Sequence, residues 1–113
     1  MISKNLILLN QVGSYRSRQN ILINLLIPRI YSDSNILDYT LISIDLRSIQ
    51  IGDVIVYLKY EVMYILGIGK YLLKLYKVRS FRDRTLYVVD IDDFSTEIMH
   101  YDTGETGLIL RRS

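Results

Sequence analysis

The sequence predicts a single α+β domain of mainly antiparallel strands, folded as a small barrel with one short helix. With 113 residues, the chain has room for one hydrophobic core. Isoleucine and tyrosine, which favour strands, are abundant, while alanine, the strongest helix former, is absent. Short apolar or alternating segments recur between turn signals, as in small barrels and twisted sheets. We therefore assign residues 1–113 to one domain.

The first third of the chain predicts a strand and a helix. Residues 5–9, NLILL, have the character of a short buried strand, followed by the loop segment QVGSYRSRQ. Residues 17–27 fit a helix, because apolar side chains recur at helical spacing after Ser17, a suitable N-cap. They also fit a buried strand, because the remaining positions are apolar as well. We favour the helix, and either element is expected to end at Pro28.

The middle of the chain predicts a meander of strands. Residues 31–39 are rich in Ser, Asp and Asn and indicate a loop, and the alternating LISIDL at 41–46 indicates a half-buried strand. Gly52 and Asp53 then form a turn before a strand that alternates from Val54 onward. The pair of glycines in LGIGK indicates a bulge or a barrel corner inside the next strand.

The last third predicts three more strands. A strand from Lys70 to Val78 leads into KVRSFRDR, which has the composition of a charged connection. TLYVVDI indicates another strand and DDFST a turn. EIMHY is then expected to pair with GLILRR across the loop DTGET.

The most hydrophobic segment, residues 54–76, is long enough to cross a bilayer. Four charged residues interrupt it, and each would cost roughly 2.5–3.5 kcal/mol near the bilayer centre. We therefore expect a pair of core strands and no membrane partner. The apolar run in MISKNLILL is similarly too short for the core of a signal peptide.

Composition also limits the chemistry. The chain has no cysteine, which excludes disulfides, thiolate metal sites and cysteine nucleophiles and fits a cytoplasmic protein. The net charge of +2 gives little bulk attraction for nucleic acid, so binding to RNA or DNA requires a local cluster. The excess of arginine over lysine resembles small proteins from viruses of hyperthermophilic archaea, which would place the protein in a host cell.

The stretch IQIGDVIVYLKYEVMYILGIGK resembles the core of PUA-like domains, the group that contains the ASCH and EVE families. Those folds share an apolar-x-x-Gly-Asp turn, a strand with a tyrosine and a later Gly-Ile-Gly strand. The resemblance implies a pseudo-barrel that binds RNA or a modified nucleotide, and SH3-like barrels use a similar turn. The matching positions are Ile49, Gly52, Asp53, Val54, Tyr57, Gly67, Ile68 and Gly69.

The acidic stretch VVDIDDFST resembles the first motif of haloacid-dehalogenase-type phosphatases, which implies a nucleophilic aspartate. Too few residues follow Asp93 to hold the other motifs of that family. We interpret the stretch as a strand end and an Asx-type turn, in which the side chains bond nearby backbone amides. A metal-dependent nuclease is an alternative, since the chain supplies several carboxylates, namely Asp53, Glu61, Asp90, Asp92 and Asp93. The usual Glu-x-Lys spacing is missing, so we predict no catalytic residues, metal or cofactor.

Two basic segments are the candidate nucleic-acid site. Arginine forms bidentate contacts with phosphate, and a neighbouring aromatic ring can stack on an unpaired base. We expect both segments to be loops, and solvated turns are the competing interpretation, with Asp83 neutralising its neighbours. Arg111 and Arg112 are expected to form an exposed basic tail. The predicted site residues are Tyr15, Arg16, Arg18, Lys77, Arg79, Phe81, Arg82 and Arg84.

The tyrosines support a second hypothesis, that the protein is a viral-type accessory protein that docks on a host or partner protein. Most tyrosines of the predicted strands should pack in the core with the hydroxyl at its edge. An exposed share of them would mark a protein interface or the seam of a homodimer. His100 is expected to be a surface or hydrogen-bonded strand residue. The tyrosines concerned are Tyr57, Tyr60, Tyr64, Tyr71, Tyr76, Tyr87 and Tyr101.

Overall fold

The computed structural model describes residues 15–113, with the side chains of residues 20–113. The strand predicted at residues 5–9 and the start of the following loop lie outside this range. A short 3-10 turn, Leu46–Ser48, is the one further helical segment within it. The regular elements are α1 (Tyr15–Ser32), β1 (Tyr39–Asp45), β2 (Val54–Met63), β3 (Ile68–Arg82), β4 (Thr85–Asp90), β5 (Thr96–His100) and β6 (Thr106–Arg112).

The helix α1 confirms the helical interpretation of residues 17–27, but the prediction that Pro28 ends it is wrong. Proline inside a helix costs about 3 kcal/mol, because it lacks an N–H group and its ring crowds the preceding turn. Contacts beyond the proline offset this cost. Ile30 packs against the core beneath the helix, and Arg29 forms ion pairs with Asp33, at 3.1 Å, and with Asp92. The last turn of α1 is therefore held by the rest of the molecule.

The six strands form one antiparallel sheet in the order β1-β6-β2-β3-β4-β5. The predicted pairing of EIMHY with GLILRR is wrong, because β5 pairs with β4 while β6 pairs with β1 and β2. Burial explains the difference. Successive residues Ile109 and Leu110 point to opposite faces of β6, and both are fully buried, as in a central strand. In β5 only Met99 is buried, which suits an edge strand.

Both faces of the sheet pack against apolar side chains, and we distinguish an inner face from an outer face. The inner face holds the larger core, to which Ile42 of β1 and Met99 of β5 both contribute. These strands are the two ends of the sheet order, so the sheet must curl for them to share a core. The outer face packs on α1 through Leu22 and Leu26. The predicted α+β fold with a barrel-like antiparallel sheet is confirmed.

The segment at 54–76 forms the hairpin of β2 and β3, as predicted. The expected bulge at its glycines is wrong. Gly67 lies in the turn with φ +63°, and Gly69 is paired regularly with Val62 beneath the ring of Tyr60. A tight turn needs a positive φ, which glycine adopts without steric cost, so LGIGK marks the turn and not a corner. No helix among the described residues is long and apolar enough to cross a membrane.

The tyrosines divide between core and surface. Tyr57 and Tyr76 lie side by side in the inner core with ring centroids 6.1 Å apart, and burial raises the pKa of Tyr57 to about 12. Tyr101 is also buried, and its hydroxyl donates a hydrogen bond to the carbonyl oxygen of Asp83 at 3.1 Å. Tyr71 is partly buried. The exposed members of the set are Tyr60, Tyr64 and Tyr87.

Candidate nucleic-acid interface

The late basic segment, residues 77–84, is the end of strand β3 and the turn into β4, so the prediction of a loop is wrong. The strand continues because Val78 is buried opposite Val88, and β4 supplies partners as far as Arg82. Only Asp83 and Arg84 lie between the strands. Asp83 has φ +53°, a left-handed conformation that aspartate adopts more readily than most residues. The basic side chains therefore project from a hydrogen-bonded strand.

Three of these side chains point to the outer face. Lys77 is paired with Val89 and Arg82 with Thr85, residues that alternate with the buried inner-face residues of β4. Arg79 joins them because the register shifts between Val78 and Ser80, which leaves Arg79 as the extra residue of a bulge. We call Lys77, Arg79 and Arg82 the cationic strip.

The charges of the cationic strip are free to contact a ligand. All three side chains are exposed, and none forms an ion pair with a residue that the structure describes. The outer-face positions of β4 and β5 are Thr, Tyr, Val, Ile and His. Glu97 of β5 is paired with the inner-face Val88 and lines the same groove as Arg79, but the two side chains form no ion pair. Five other basic residues each pair with a carboxylate, namely Arg29, Arg47, Lys59, Lys74 and Arg111.

Two aromatic side chains outside the predicted site, Tyr87 and Phe94, lie beside the cationic strip. Tyr87 stands opposite Ser80 and Ile98 on the outer face, and 42% of it is exposed. Phe94, in the turn between β4 and β5, is 77% exposed. A signal for Tyr87 was present in the sequence, because it alternates with the apolar Leu86 and Val88. Phe94 carried no such signal.

Phe81, the predicted stacking residue, lies on the other side of the sheet. It is paired with Leu86, which is fully buried in the inner core, so its ring points to the edge of the inner face. Its neighbour Arg82 therefore faces the opposite way. Arg84 lies in the turn, where its guanidinium donates a hydrogen bond to the hydroxyl of Thr103 at 3.3 Å. The structure thus brings together three of the five predicted residues of this segment.

A cavity of about 340 Å³ opens between the strip and the loop after α1. Its floor is apolar, formed by Ile36, Val54 and Val89 among others, and the strip residues Lys77 and Arg79 stand at its side. This volume lies at the lower end of the range for small-ligand pockets. A shallower groove of about 650 Å³ continues from Arg79 across β4 and β5. The remaining residues that line the cavity are Asn35, Tyr39, Ile91 and Phe94.

The early basic residues lie on the helix and not in the predicted loop. The backbone of Tyr15, Arg16 and Arg18 forms the first turn of α1, because the helix begins before Ser17, and their side chains lie outside the described part. A rise of about 1.5 Å per residue separates the backbones of Arg16 and Arg29 by roughly 20 Å. Arg29 contacts the β4–β5 turn, so these backbone positions belong to the far end of the helix from that turn.

The predicted basic tail at Arg111 and Arg112 is instead part of β6. Arg111 binds the buried Asp53 through two hydrogen bonds of 3.0 and 2.8 Å, and this pairing raises the pKa of Arg111. Arg112 is exposed opposite Tyr39, at the edge of the outer face. The prediction of a tail is wrong because β1 supplies ladder partners to both residues, Thr40 to Arg111 and Tyr39 to Arg112.

The acidic stretch forms the predicted Asx-type turn. One carboxylate oxygen of the buried Asp90 accepts hydrogen bonds from the backbone N–H groups of Asp92, at 2.8 Å, and Asp93, at 3.4 Å. Ser95 donates both its amide and its hydroxyl to Asp93, and the hydroxyl bond is the main cause of the lowered pKa of Asp93. The stretch therefore closes the hairpin between β4 and β5.

The carboxylates of the nuclease alternative are engaged in separate contacts. Among residues 15–113, no group of three or more histidine, aspartate or glutamate side chains is arranged to hold a metal ion. His100 is exposed on β5, with its Nδ1 3.1 Å from the hydroxyl of Thr85, which confirms a hydrogen-bonded strand residue. The pairs are Asp53 with Arg111, Glu61 with Lys59, Asp90 with Lys74 and Asp92 with Arg29.

The fold and this surface define a class: a small α+β domain that presents an open cationic and aromatic sheet face. Comparison with protein-family models, curated proteins and solved structures gives no significant match. The resemblance to PUA-like domains therefore stays a prediction, and the function has to be argued from the surface itself.

Proposed function

We propose that this protein is a non-enzymatic nucleic-acid-binding module whose cationic strip contacts the phosphate backbone of RNA or DNA. The observation that carries the proposal is the geometry of Lys77, Arg79 and Arg82. Three basic side chains lie on one side of one strand without a carboxylate partner in the described part of the chain. A row of cations suits a ligand whose negative charges also form a row.

The small net charge strengthens this interpretation. With a total of +2, the molecule attracts polyanions only where cations are locally concentrated. Elsewhere on the described surface, most basic side chains are already neutralised by a carboxylate. Arginine also offers bidentate contacts to phosphate, and its planar donors are less strongly hydrated than an ammonium group. The outer face of β3 is therefore the region of the described surface that attracts a phosphate backbone most strongly.

The test is the salt dependence of binding to a fluorescently labelled oligonucleotide. Three phosphate contacts on a single strand give a log–log slope of about −2, so affinity should fall roughly twentyfold between about 50 and 200 mM salt. A triple variant, Lys77→Ala with Arg79→Ala and Arg82→Ala, should bind weakly at all salt concentrations and lose most of this slope. Fluorescence anisotropy measures both quantities.

A matched triple variant controls for net charge. Arg47→Ala with Lys59→Ala and Lys70→Ala removes the same three charges from sites away from the outer face of β3. This variant should keep most of the wild-type affinity and its salt slope. Equal losses in both triple variants, or a wild-type affinity that does not change with salt, would contradict the proposal.

A second candidate function, docking on a partner protein, is favoured by the tip of the β2–β3 hairpin. Tight turns usually carry Gly, Asn, Asp or Ser, yet this one exposes Tyr64, Ile65 and Leu66 by 90, 98 and 61%. Exposed neighbouring apolar side chains of this kind mark interaction surfaces. The flanking strands add Tyr60 and Val62, both also exposed.

Capture at high salt separates the two candidates. At about 1 M salt, charges are screened within roughly 3 Å, so contacts of the cationic strip are suppressed while hydrophobic contacts persist. Docking predicts that one protein is retained by the wild type and by the strip variant, and is lost from an Ile65→Ser, Leu66→Ser variant. If the wild type, the cationic-strip variant and the Ile65→Ser, Leu66→Ser variant all retain the partner protein equally, docking through the tip is contradicted.

A further inference from the structure

We propose that the cavity beside the cationic strip accepts one unpaired base, with the ring of Phe94 stacking on it, so that the ligand is single-stranded nucleic acid. This inference rests on the proposed function and narrows it to a ligand class. It depends on three features of the described residues: the backbone conformation of Phe94, the exposure of its ring, and the composition of the cavity that the ring borders.

The backbone of Phe94 lies in the left-handed region, with φ +62°. A bulky residue is a marked exception there, because the Cβ atom crowds the following carbonyl group. The other positive φ values among the described residues belong to residues that tolerate them, namely Gly52, Gly67, Asp83 and Gly104. Phenylalanine is thus present where the backbone favours glycine, asparagine or aspartate.

The turn does not depend on the phenyl ring. The amide of Phe94 donates to the carbonyl oxygen of Asp90 at 2.9 Å, and the amide of Asp90 donates to the carbonyl oxygen of Ser95 at 2.9 Å. These backbone bonds and the carboxylate of Asp90 close the hairpin. The residue as a whole is 77% exposed, so its side chain contributes little burial. Strain at an exposed side chain, with no packing in return, points to a functional reason for the residue.

The cavity has the mixed character that an unpaired base requires. The partly exposed Val89 and Ile91 offer an apolar surface for the flat ring, and the exposed Asn35 also lines the cavity. Lys77 and Arg79 line the same cavity, so a phosphate attached to the base would meet the cationic strip. Apolar contact, an amide and two cations therefore converge within one space.

This arrangement discriminates between single and double strands. In a duplex, each base is stacked on both sides and paired at its edge, so it can enter a cavity only after costly extrusion. An unpaired base is free to stack on an aromatic side chain, which is how proteins commonly bind single strands. Both ligands can form phosphate contacts with the cationic strip. Only the single strand has an unpaired base for the cavity, which therefore adds affinity for the single strand alone.

The experiment compares a mixed-sequence single strand with the blunt duplex of the same length, both for DNA and for RNA. The wild type should bind the single strand roughly tenfold more tightly than the duplex. Phe94→Asn should lower single-strand affinity about tenfold, leave duplex affinity unchanged and keep the melting temperature at or above that of the wild type. Phe94→Tyr, which keeps the ring, should bind the single strand like the wild type.

The outcomes separate this inference from the proposed function. Two results would contradict base binding in the cavity while leaving phosphate binding intact. In the first, the triple variant of the cationic strip loses binding while Phe94→Asn binds normally. In the second, the duplex binds as tightly as the single strand. A clear fall in the melting temperature of Phe94→Asn would assign the ring a structural role and overturn the inference. Failure of the wild type to bind any of the four probes would overturn both.

Discussion

Replacing Asp90 with alanine is expected to lower the free energy of unfolding by about 3 kcal/mol. The side chain is 1% exposed, and its carboxylate accepts the backbone N–H groups of Asp92 and Asp93 and the ammonium group of Lys74, at 3.3 Å. Alanine leaves these donors without a partner in a site that water reaches poorly. Urea denaturation of the variant and the wild type, followed by circular dichroism, measures the difference.

Two further variants sharpen the result. Asp90→Asn keeps an oxygen for the backbone N–H groups but removes the charge opposite Lys74. Its free energy of unfolding should therefore lie between those of the wild type and Asp90→Ala. Asp93→Ala removes an exposed carboxylate that accepts the amide and hydroxyl of Ser95, and it should cost less, about 1 kcal/mol. If Asp90→Ala unfolds at the wild-type urea concentration, Asp90 does not hold the turn, and a catalytic role for the acidic stretch would need to be considered again.

The sequence predicted the architecture wherever the signal was local. Alternation from Val54 onward identified β2, the Gly52-Asp53 pair identified the turn before it, and the aspartates after Val89 identified the Asx turn. Each of these depends on one residue and its immediate neighbours. The composition predicted the fold class, because isoleucine and tyrosine, which favour strands, are abundant and alanine is absent.

Features that depend on distant residues were mispredicted. The partners of β5 and β6 follow from how many faces of each strand are buried, and that becomes known only when the sheet is assembled. The passage of α1 through Pro28 is stabilised in part by the packing of Ile30 on the core and by the contact of Arg29 with Asp92, a residue far along the chain. Hydrophobic pattern and turn chemistry carry little information about either.

The candidate site was predicted in part. Lys77, Arg79 and Arg82 stood out as a basic cluster, but their alignment on one face requires the bulge at Arg79, which the sequence does not mark with a glycine. Phe81 was the evident aromatic neighbour by position in the chain. Register with β4 turns it away, so proximity in sequence proved a poor guide to proximity in space.

The second large effect is expected at Asp53, whose replacement with alanine should cost about 3 kcal/mol. This side chain is 3% exposed and accepts a hydrogen bond from the backbone N–H group of Gln50 at 2.8 Å, in addition to its pair with Arg111. The carbonyl oxygen of the same residue accepts the N–H group of Val78 at 2.8 Å. Asp53 therefore joins the turn before β2 to both β3 and β6.

This connection links stability to the proposed interface. Val78 immediately precedes the bulge at Arg79, and its carbonyl oxygen accepts the amide of Gly52 at 2.9 Å. Loss of Asp53 should increase the mobility of the β3 backbone around Val78 and the bulge. Asp53→Ala should therefore also weaken oligonucleotide binding, even though it removes a negative charge. Asp45→Ala removes the same charge and should leave binding nearly unchanged. It should lower the free energy of unfolding by only about 1 kcal/mol, because Asp45 pairs with Arg47 and caps the short 3-10 turn. If Asp53→Ala instead binds more tightly, through its gain of net positive charge, the bulge does not depend on this contact.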